Sequence, residues 1–206
     1  MADGLGKLIL LAGVALIAYG AYSGFSAVES STEGGGADAG SDGADGGDAG
    51  SVVNASTASG SMTPQQIADL AQSTLSAMGV TDITPQMAAT IAMIESGGDP
   101  AAERQEPRLN DASYGLMQTL LGTATWLYGL GYSSMGEPTS ETLLNAEGSM
   151  YFGCGYLHWL RNYQGSPQTD DFVVAAYNGG PGGASGAGPQ AYLASYQSTY
   201  SSLWSV

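Results

Sequence analysis

The sequence predicts a mainly helical domain over residues 62–206, preceded by an apolar helix and a flexible linker. Two observations predict the helices of this domain. Apolar residues recur at spacings of three and four, and Thr-Pro pairs stand in front of two such stretches. A third observation is that no stretch of the domain shows convincing strand-type alternation. The chain therefore divides into residues 1–28, 29–61 and 62–206.

The first segment is predicted to be a membrane anchor. Leu8 to Val28 is an almost uninterrupted apolar run without charge, about long enough to span a bilayer as a helix. Lys7 precedes the run and Glu29 follows it, which favours a cytoplasmic N-terminus with the remaining chain outside. A signal peptide is the alternative, although Asp3 offsets Lys7 and the candidate cleavage sites are poor.

Residues 29–61 are predicted to be a flexible tether. They are mostly Gly, Ser, Ala and Asp, and such a segment cannot bury enough apolar surface to offset the entropy lost on ordering. Four aspartates raise the question of a calcium site, but their spacing is not that of an EF-hand loop and no Glu closes the ligand set. They are Asp38, Asp42, Asp45 and Asp48.

The first two helices of the domain have clear start and stop signals. Thr63 and Gln66 form a capping box with Pro at the first helical position, and Gly79 ends the helix that follows. Thr84 stands before a second Pro and begins the next helix. This second helix has three residues on one face and ends at a pair of glycines: Met87, Ile91 and Glu95, then Gly97 and Gly98.

Four later helices follow from the same periodicity. The third is predicted to start near Ser113. The fourth covers about residues 145–162 and is apolar nearly all round, so we expect it at the centre of the domain. The fifth covers about residues 170–178. The last starts at Pro189 and carries an aromatic stripe of Tyr192, Tyr196 and Tyr200.

The composition excludes several classes of function. The formal net charge is -15 with only four Lys and Arg residues, too few for a nucleic-acid-binding surface. Cys154 is the only cysteine, so no internal disulfide can form, and its apolar neighbours favour core packing over a nucleophilic role. His158 is the only histidine, and no grouping of side chains suggests a zinc site. We therefore predict neither a metal nor a cofactor.

Glu95 is the strongest candidate catalytic residue. It continues an apolar stripe into the last turn of the second helix, where the helix dipole disfavours a second negative charge. Partial burial disfavours that charge further, and both effects raise the pKa of the carboxyl. A raised pKa suits a general acid that works near neutral pH. The alternative is a solvated glutamate at a frayed helix end.

Three segments in order resemble the soluble lytic transglycosylase family, which is related to goose-type lysozymes. They read Ile94-Glu-Ser-Gly-Gly-Asp-Pro100, Tyr114-Gly-Leu-Met-Gln118 and Ala175-Ala-Tyr-Asn-Gly-Gly-Pro-Gly182. The resemblance extends over about residues 84–196. It implies a lysozyme-like transglycosylase domain with a long substrate groove. It also implies cleavage of the β-1,4 bond between N-acetylmuramic acid and N-acetylglucosamine in peptidoglycan.

The resemblance assigns Glu95 the role of a single catalytic acid and base. Glu95 would protonate the leaving oxygen and then deprotonate the C6 hydroxyl of the muramoyl sugar. That hydroxyl closes onto C1 and gives a 1,6-anhydro end. Because the substrate's own acetamido group is thought to stabilise the positive centre, this reaction needs no second carboxylate.

The resemblance also implies a set of residues that bind the glycan. The Tyr177 hydroxyl is expected close to the catalytic carboxyl, and Met117 and Gln118 are expected to line the groove near the cleaved bond. Relatives often have a substrate-binding serine near the position of Ser113. The complete implied set is Met117, Gln118, Tyr177, Asn178, Ser113 and Tyr114.

Two other functions remain open at this point. A muramidase would hydrolyse the same bond, and a retaining or inverting hydrolase of the usual kind needs a second carboxylate, for which Asp99, Glu103, Glu106 and Asp111 are candidates. A non-catalytic glycan-binding protein of a membrane or virion would need no acid at the Glu95 position. For the enzyme, we expect a catalytic domain that faces the periplasm or cell wall, or a place in a virion, because a phage-encoded protein fits as well as a bacterial one.

Overall fold

The computed structural model describes residues 60–132 and 134–205. The predicted anchor and nearly all of the predicted linker lie outside these residues. Within the described ranges, every helix is too short or too polar to cross a bilayer. Seven α-helices and three short strands follow one another between Pro64 and Trp204 in this part of the chain.

The helices dominate the described part of the chain, as predicted, and the three strands form a small sheet between the second and third helices. The sheet is antiparallel with the order β1-β2-β3. Its strands are β1 (Glu103–Glu106), β2 (Asp111–Tyr114) and β3 (Thr119–Leu120). The helices are α1 (Pro64–Met78), α2 (Pro85–Ser96), α3 (Leu121–Gly129), α4 (Ser140–Leu143), α5 (Ala146–Arg161), α6 (Asp170–Gly179) and α7 (Ala187–Trp204).

The predicted caps of α1 and α2 are confirmed. The Gln66 amide donates to Thr63 Oγ1 over 3.3 Å, and the Thr63 amide donates to Gln66 Oε1 over 2.9 Å, which completes the capping box. Thr84 accepts from the Met87 amide in the same way. Gly79 closes α1 with a φ of 68°, a left-handed conformation that glycine adopts without steric cost.

The prediction of a third helix starting near Ser113 is wrong, as is the expectation of no strands. Ser113 lies in β2, where it pairs with Arg104 on one side and Leu120 on the other. The segment from Gly115 to Gln118 then turns the chain through two left-handed conformations, with φ of 71° and 45° at those two residues. Such angles interrupt a right-handed helix, so α3 begins only after β3.

The sheet supplies the cap that α3 lacks in its own sequence. The N-cap residue of α3 is Leu120, which has no side-chain oxygen to accept from the first turn. Asp111 Oδ2 accepts from the Gly122 amide over 2.9 Å instead. The start of α3 is therefore fixed by a residue on a neighbouring strand, which helical periodicity cannot reveal.

The prediction that the fourth helix is central is confirmed. This helix, α5, contacts α1, α2, α3, α4, α6 and β3. Cys154 lies in its buried face, where its thiol donates to the Met150 sulfur and burial raises the pKa of the thiol to about 12. The predicted core role of Cys154 is confirmed by its complete burial. The raised pKa keeps the thiol protonated at neutral pH.

The last two helices bring the C-terminal part of the domain to the end of α2. Helix α6 begins at Asp170, where Thr169 caps it by accepting from the Phe172 amide. Helix α7 begins two residues before the predicted Pro189 and packs against both α2 and α6. The aromatic stripe of α7 thereby reaches the end of α2 that carries Glu95.

Candidate active site

Glu95 lies at the buried end of α2. Its side chain continues the face formed by Met87 and Ile91, both of which are buried, and only 7% of its surface is exposed. The Tyr192 hydroxyl on α7 donates to Glu95 Oε1 over 2.8 Å. The structure thus gives one carboxyl oxygen a fixed partner, and Glu95 Oε2 has no hydrogen-bond partner among the described residues.

The surroundings of Glu95 shift its proton affinity strongly. Burial raises the pKa of the carboxyl from 4.5 to about 7, because a charge is poorly solvated in the interior. The hydrogen bond from Tyr192 and the nearby positive charge of Arg104 oppose this rise, and Glu106 adds to it. With a pKa of about 7, Glu95 exchanges its proton near neutral pH, as a residue that acts first as an acid and then as a base must do.

This raised pKa predicts a pH-dependent stability. The folded protein binds the Glu95 proton more tightly than the unfolded chain does. The contribution of this proton to stability is therefore fully present below about pH 4.5 and is lost as the pH rises to about 7. The loss is roughly 3 kcal/mol in the free energy of unfolding. Urea unfolding of the wild type and of Glu95→Gln between pH 4.5 and 8 measures it. The wild type should lose stability relative to the variant over this range, and parallel curves would contradict the burial of the carboxyl.

The turn from Gly115 to Gln118 is held by hydrogen bonds to elements on both sides. The Gly115 amide donates to the Ala102 carbonyl over 2.7 Å, and the Met117 amide donates to Ser149 Oγ over 3.0 Å. The Gln118 side-chain amide donates to the Ala102 and Gly115 carbonyls. Gln118 is therefore buried by its contacts with the backbone of the turn, and its predicted role in binding substrate stays a prediction.

Met117 is fully buried against α5. A Cβ at Gly153 would lie 2.5 Å from Met117 Cγ, so the absence of a side chain at that position makes room for the methionine. The Met117 carbonyl accepts from the Tyr177 hydroxyl over 2.7 Å. The Tyr177 hydroxyl therefore holds the turn, and its expected place beside the Glu95 carboxyl stays a prediction. The pKa of Tyr177 is raised mainly by its burial and secondly by the electrostatic effect of Glu95.

Three of the remaining side chains in this region have buried oxygen atoms without a hydrogen-bond partner in the described part of the chain. They are Ser113 Oγ, Thr119 Oγ1 and Asn178 Oδ1. Ser113 is fully buried and Asn178 is nearly so, whereas Tyr114 is partly exposed. The predicted glycan contacts of Ser113, Tyr114 and Asn178 stay predictions.

The acidic residues that follow Glu95 have distinct surroundings. Asp99 accepts from the Ala101 amide, Asp111 caps α3, and Glu103 accepts from the exposed Gln105 side chain. Glu106 is different, because its Oε1 accepts from Arg104 Nε over 2.7 Å and its side chain is only 14% exposed. Arg104 and Glu106 both act electrostatically on Glu95.

The contact between Tyr192 and Glu95 was missed by the sequence analysis. The periodicity placed Tyr192 on the last helix, where it is buried, but Glu95 and Tyr192 are 97 residues apart. No local signal in either helix reveals that they meet.

In residues 60–132 and 134–205, no group of three or more His, Cys, Asp or Glu could hold a metal ion. The one histidine in these ranges, His158, lies 2.8 Å from an Asp82 oxygen.

The comparisons with known proteins agree with this geometry. The family model for the transglycosylase SLT domain matches residues 73–199. The chain belongs to the transglycosylase SLT domain family. The matched range contains Glu95, the turn from Gly115 to Gln118, Tyr177 and Tyr192. The resemblance predicted from the sequence is therefore confirmed at the level of the family.

The SLT domain also has the fold of a solved lytic transglycosylase. It is similar to the 70 kDa soluble lytic transglycosylase from Escherichia coli, with a TM-score of 0.52 and 23% sequence identity. The match covers 65% of this chain and 24% of that enzyme, so this chain spans about a quarter of its length. A search of the curated proteins finds no match. The mainly helical, lysozyme-like fold predicted for the domain is confirmed.

Proposed function

We propose that this SLT-domain protein is a peptidoglycan lytic transglycosylase. It cleaves the β-1,4 bond between N-acetylmuramic acid and N-acetylglucosamine, with Glu95 as the single acid and base. The observation that supports this proposal most directly is the buried Glu95 carboxyl, whose pKa is raised to about 7 and whose Oε1 is held by Tyr192. A glycan-binding protein without activity has no need of a carboxyl in that state.

The chemistry follows from the two oxygens of Glu95. Tyr192 fixes the carboxyl through Oε1, which leaves Oε2 to give its proton to the leaving glycosidic oxygen. The resulting carboxylate then takes the proton of the muramoyl C6 hydroxyl. The C6 oxygen bonds to C1 and forms the 1,6-anhydro ring, and Glu95 regains its proton. Because the C6 hydroxyl attacks C1 in place of water, no water is consumed. Glu95 performs both proton transfers.

Mass spectrometry of the products tests the proposal. The full chain is incubated with purified peptidoglycan, and the masses of the released muropeptides are determined. We expect 1,6-anhydro ends. Products heavier by one water would show the muramidase instead, and folded protein that releases no products would show a non-catalytic glycan-binding protein.

We also propose that the domain is displayed on a membrane. The uncharged run from Leu8 to Val28 supports an anchor with a cytoplasmic N-terminus, and residues 29–61 supply a tether long enough for the domain to reach nearby glycan strands. This arrangement suits local opening of the wall from a bacterial or virion membrane. Flotation with lipid vesicles tests the anchor: the full chain should float, and a chain that lacks residues 1–28 should stay at the bottom of the gradient.

The Tyr192→Phe variant should shift the pH profile of the enzyme. Because the acid form of Glu95 starts the reaction, kcat/KM of the wild type should fall above about pH 7. The Tyr192 hydroxyl stabilises the ionised carboxyl, so its removal raises the pKa of Glu95 further and moves this fall to higher pH. The control is Tyr200→Phe, two turns further along α7. If kcat/KM of Tyr192→Phe falls at the same pH as that of the wild type, or at a lower pH, the proposed role of the hydrogen bond is contradicted.

A further inference from the structure

The residues that precede α1 are bonded to the turn that follows α2. Gly60, Ser61 and Met62 lie before the capped start of α1, and we call these three residues the strap. The Met62 amide donates to the Gly98 carbonyl over 2.8 Å. Gly98 follows Glu95 by three residues, and the Cα atoms of two residues at that separation are at most about 11 Å apart. The strap is therefore attached next to the end of α2 that carries Glu95.

Close packing joins the strap to this turn as well. Gly98 is buried, has a φ of 83°, and a Cβ at its position would lie 2.4 Å from the Met62 carbonyl oxygen. The neighbouring glycine differs, because Gly97 is exposed and has nothing within 4 Å of its would-be Cβ, although its φ of 65° is similar. Met62 is half-buried and packs against the core of the domain. The strap thus covers Gly98 and leaves Gly97 open to solvent.

The strap supplies a contact that the end of α2 cannot make by itself. The Gly97 amide closes the helix by donating to the Met93 carbonyl over 3.1 Å, which is a local bond. The Gly98 carbonyl instead accepts from Met62, which lies before α1. Helix ends open easily where few buried contacts hold them. Because Glu95 lies in the last turn of α2, loss of the strap contact would let water reach its carboxyl.

We propose that the strap is a positioning element of the catalytic centre, in which Met62 and Gly98 hold the last turn of α2 so that the Glu95 carboxyl stays buried. The strap makes no contact with the sugar, and both proton transfers remain those of Glu95. The predicted linker ends at residue 61, so it joins the domain beside the catalytic acid. This inference rests on the proposed cleavage of peptidoglycan.

Opening the strap would change the solvation of Glu95 and leave its charged neighbours in place. The titratable groups that act on Glu95 in the described part of the chain come from other elements: Tyr192 on α7, Tyr177 on α6, and Arg104 and Glu106 on β1. The strap itself carries no charged side chain. Because burial is the main cause of the raised pKa of Glu95, access of water lowers that pKa from about 7 toward 4.5. The fall of kcat/KM then moves to lower pH, opposite to the shift expected for Tyr192→Phe.

Two neighbouring glycines provide the test. The full chain and its Gly98→Ala and Gly97→Ala variants are assayed between pH 5 and 8 on soluble glycan strands prepared from peptidoglycan. Both variants place alanine at a left-handed φ, but only Gly98→Ala pushes against the Met62 carbonyl. We expect Gly98→Ala to keep most of the wild-type kcat/KM at pH 5 and to lose about 5-fold at pH 7, as a pKa lower by about one unit would cause. Gly97→Ala should follow the pH profile of the wild type.

A second pair of variants leaves the glycines unchanged. Met62→Pro removes the N–H that donates to the Gly98 carbonyl, and Ser61→Pro at the exposed neighbouring position is its control. We expect the profile of Met62→Pro to move to lower pH, as that of Gly98→Ala does, and Ser61→Pro to keep the wild-type profile.

The pH dependence of the loss separates positioning from folding. If Gly98→Ala and Met62→Pro lose the same fraction of kcat/KM at every pH, the strap serves only folding and the proposal is overturned. Profiles that match the wild type in both variants would overturn it as well. A wild type without activity would overturn the proposed function itself, and the inference with it.

Discussion

The Glu95→Gln variant should lose about 10³-fold or more of the rate of glycan cleavage, because in the proposed mechanism the same carboxyl donates the first proton and accepts the second. Glutamine keeps the size of the side chain and can still accept the hydrogen bond from Tyr192, so the fold should survive. It has no proton to give to the leaving oxygen. The rate at which anhydro-muropeptides are released from peptidoglycan measures the effect.

The control for this variant is Glu137→Gln, a matched change at an exposed position in the loop between α3 and α4. It should leave the rate unchanged. Far-ultraviolet circular dichroism and urea unfolding show whether each variant is folded. A Glu95→Gln protein that is folded and cuts at more than a tenth of the wild-type rate would remove Glu95 from the mechanism.

Gly115→Ala should destabilise the domain more than other glycine substitutions of the same size. A Cβ at this position would lie 1.9 Å from the Leu143 carbonyl oxygen and 2.7 Å from Ser149 Oγ, and the φ of 71° is unfavourable for alanine. Backbone atoms cannot move aside as a flexible side chain can, so the turn that carries Met117 must shift. We expect a loss of about 3 to 5 kcal/mol in the free energy of unfolding, measured with urea.

Substitutions at two further glycines separate the steric cause of this loss from the cost of the backbone conformation. Gly97 has a φ of 65° but nothing within 4 Å of its would-be Cβ, so Gly97→Ala should lose only about 1 to 2 kcal/mol for the backbone conformation. Gly129 lies in α3 with open space and an ordinary φ, so Gly129→Ala should be neutral or stabilising by up to about 1 kcal/mol. If Gly115→Ala loses no more free energy of unfolding than Gly97→Ala, the turn is not closely packed against α4 and α5.

The helices whose boundaries depend on local chemistry were the ones that the sequence predicted well. Thr63 and Thr84 accept hydrogen bonds from amides three residues later, and Gly79 and Gly97 take left-handed conformations, so each signal acts within a few residues. The buried stripe that ends at Glu95 follows directly from helical spacing. Its burial and its raised pKa could therefore be predicted without knowledge of the fold.

The sheet could not be predicted in the same way, because its strands have two to four residues and are stabilised by their partners. Leu116 and Leu120 have helical spacing, yet one lies in a turn and the other in β3. The pairing of Ser113 with Arg104 and Leu120 decides the conformation of this segment. The capping of α3 by Asp111 has the same origin, since it joins two elements that meet only in the folded domain.

The residues of the candidate site also differ in how far the sequence could predict them. Glu95 was predicted from its own helix, whereas the side chains that tune it come from elsewhere in the domain. Tyr192 arrives on α7, and Arg104 and Glu106 arrive on a strand that the sequence did not predict. The role predicted for Tyr177 in binding the glycan stays a prediction, and its hydroxyl donates to the Met117 carbonyl over 2.7 Å.

The hydrogen bond from Tyr192 to Glu95 also has a consequence for biosynthesis. A ribosome adds about 5–20 residues per second, so Tyr192 is made roughly 5–20 s after Glu95. During this interval the nascent chain already contains the acid but not the helix that buries it and fixes its orientation. Because α7 supplies the Tyr192 hydroxyl, the Glu95 carboxyl acquires this hydrogen bond only after the last helix of the domain has been made.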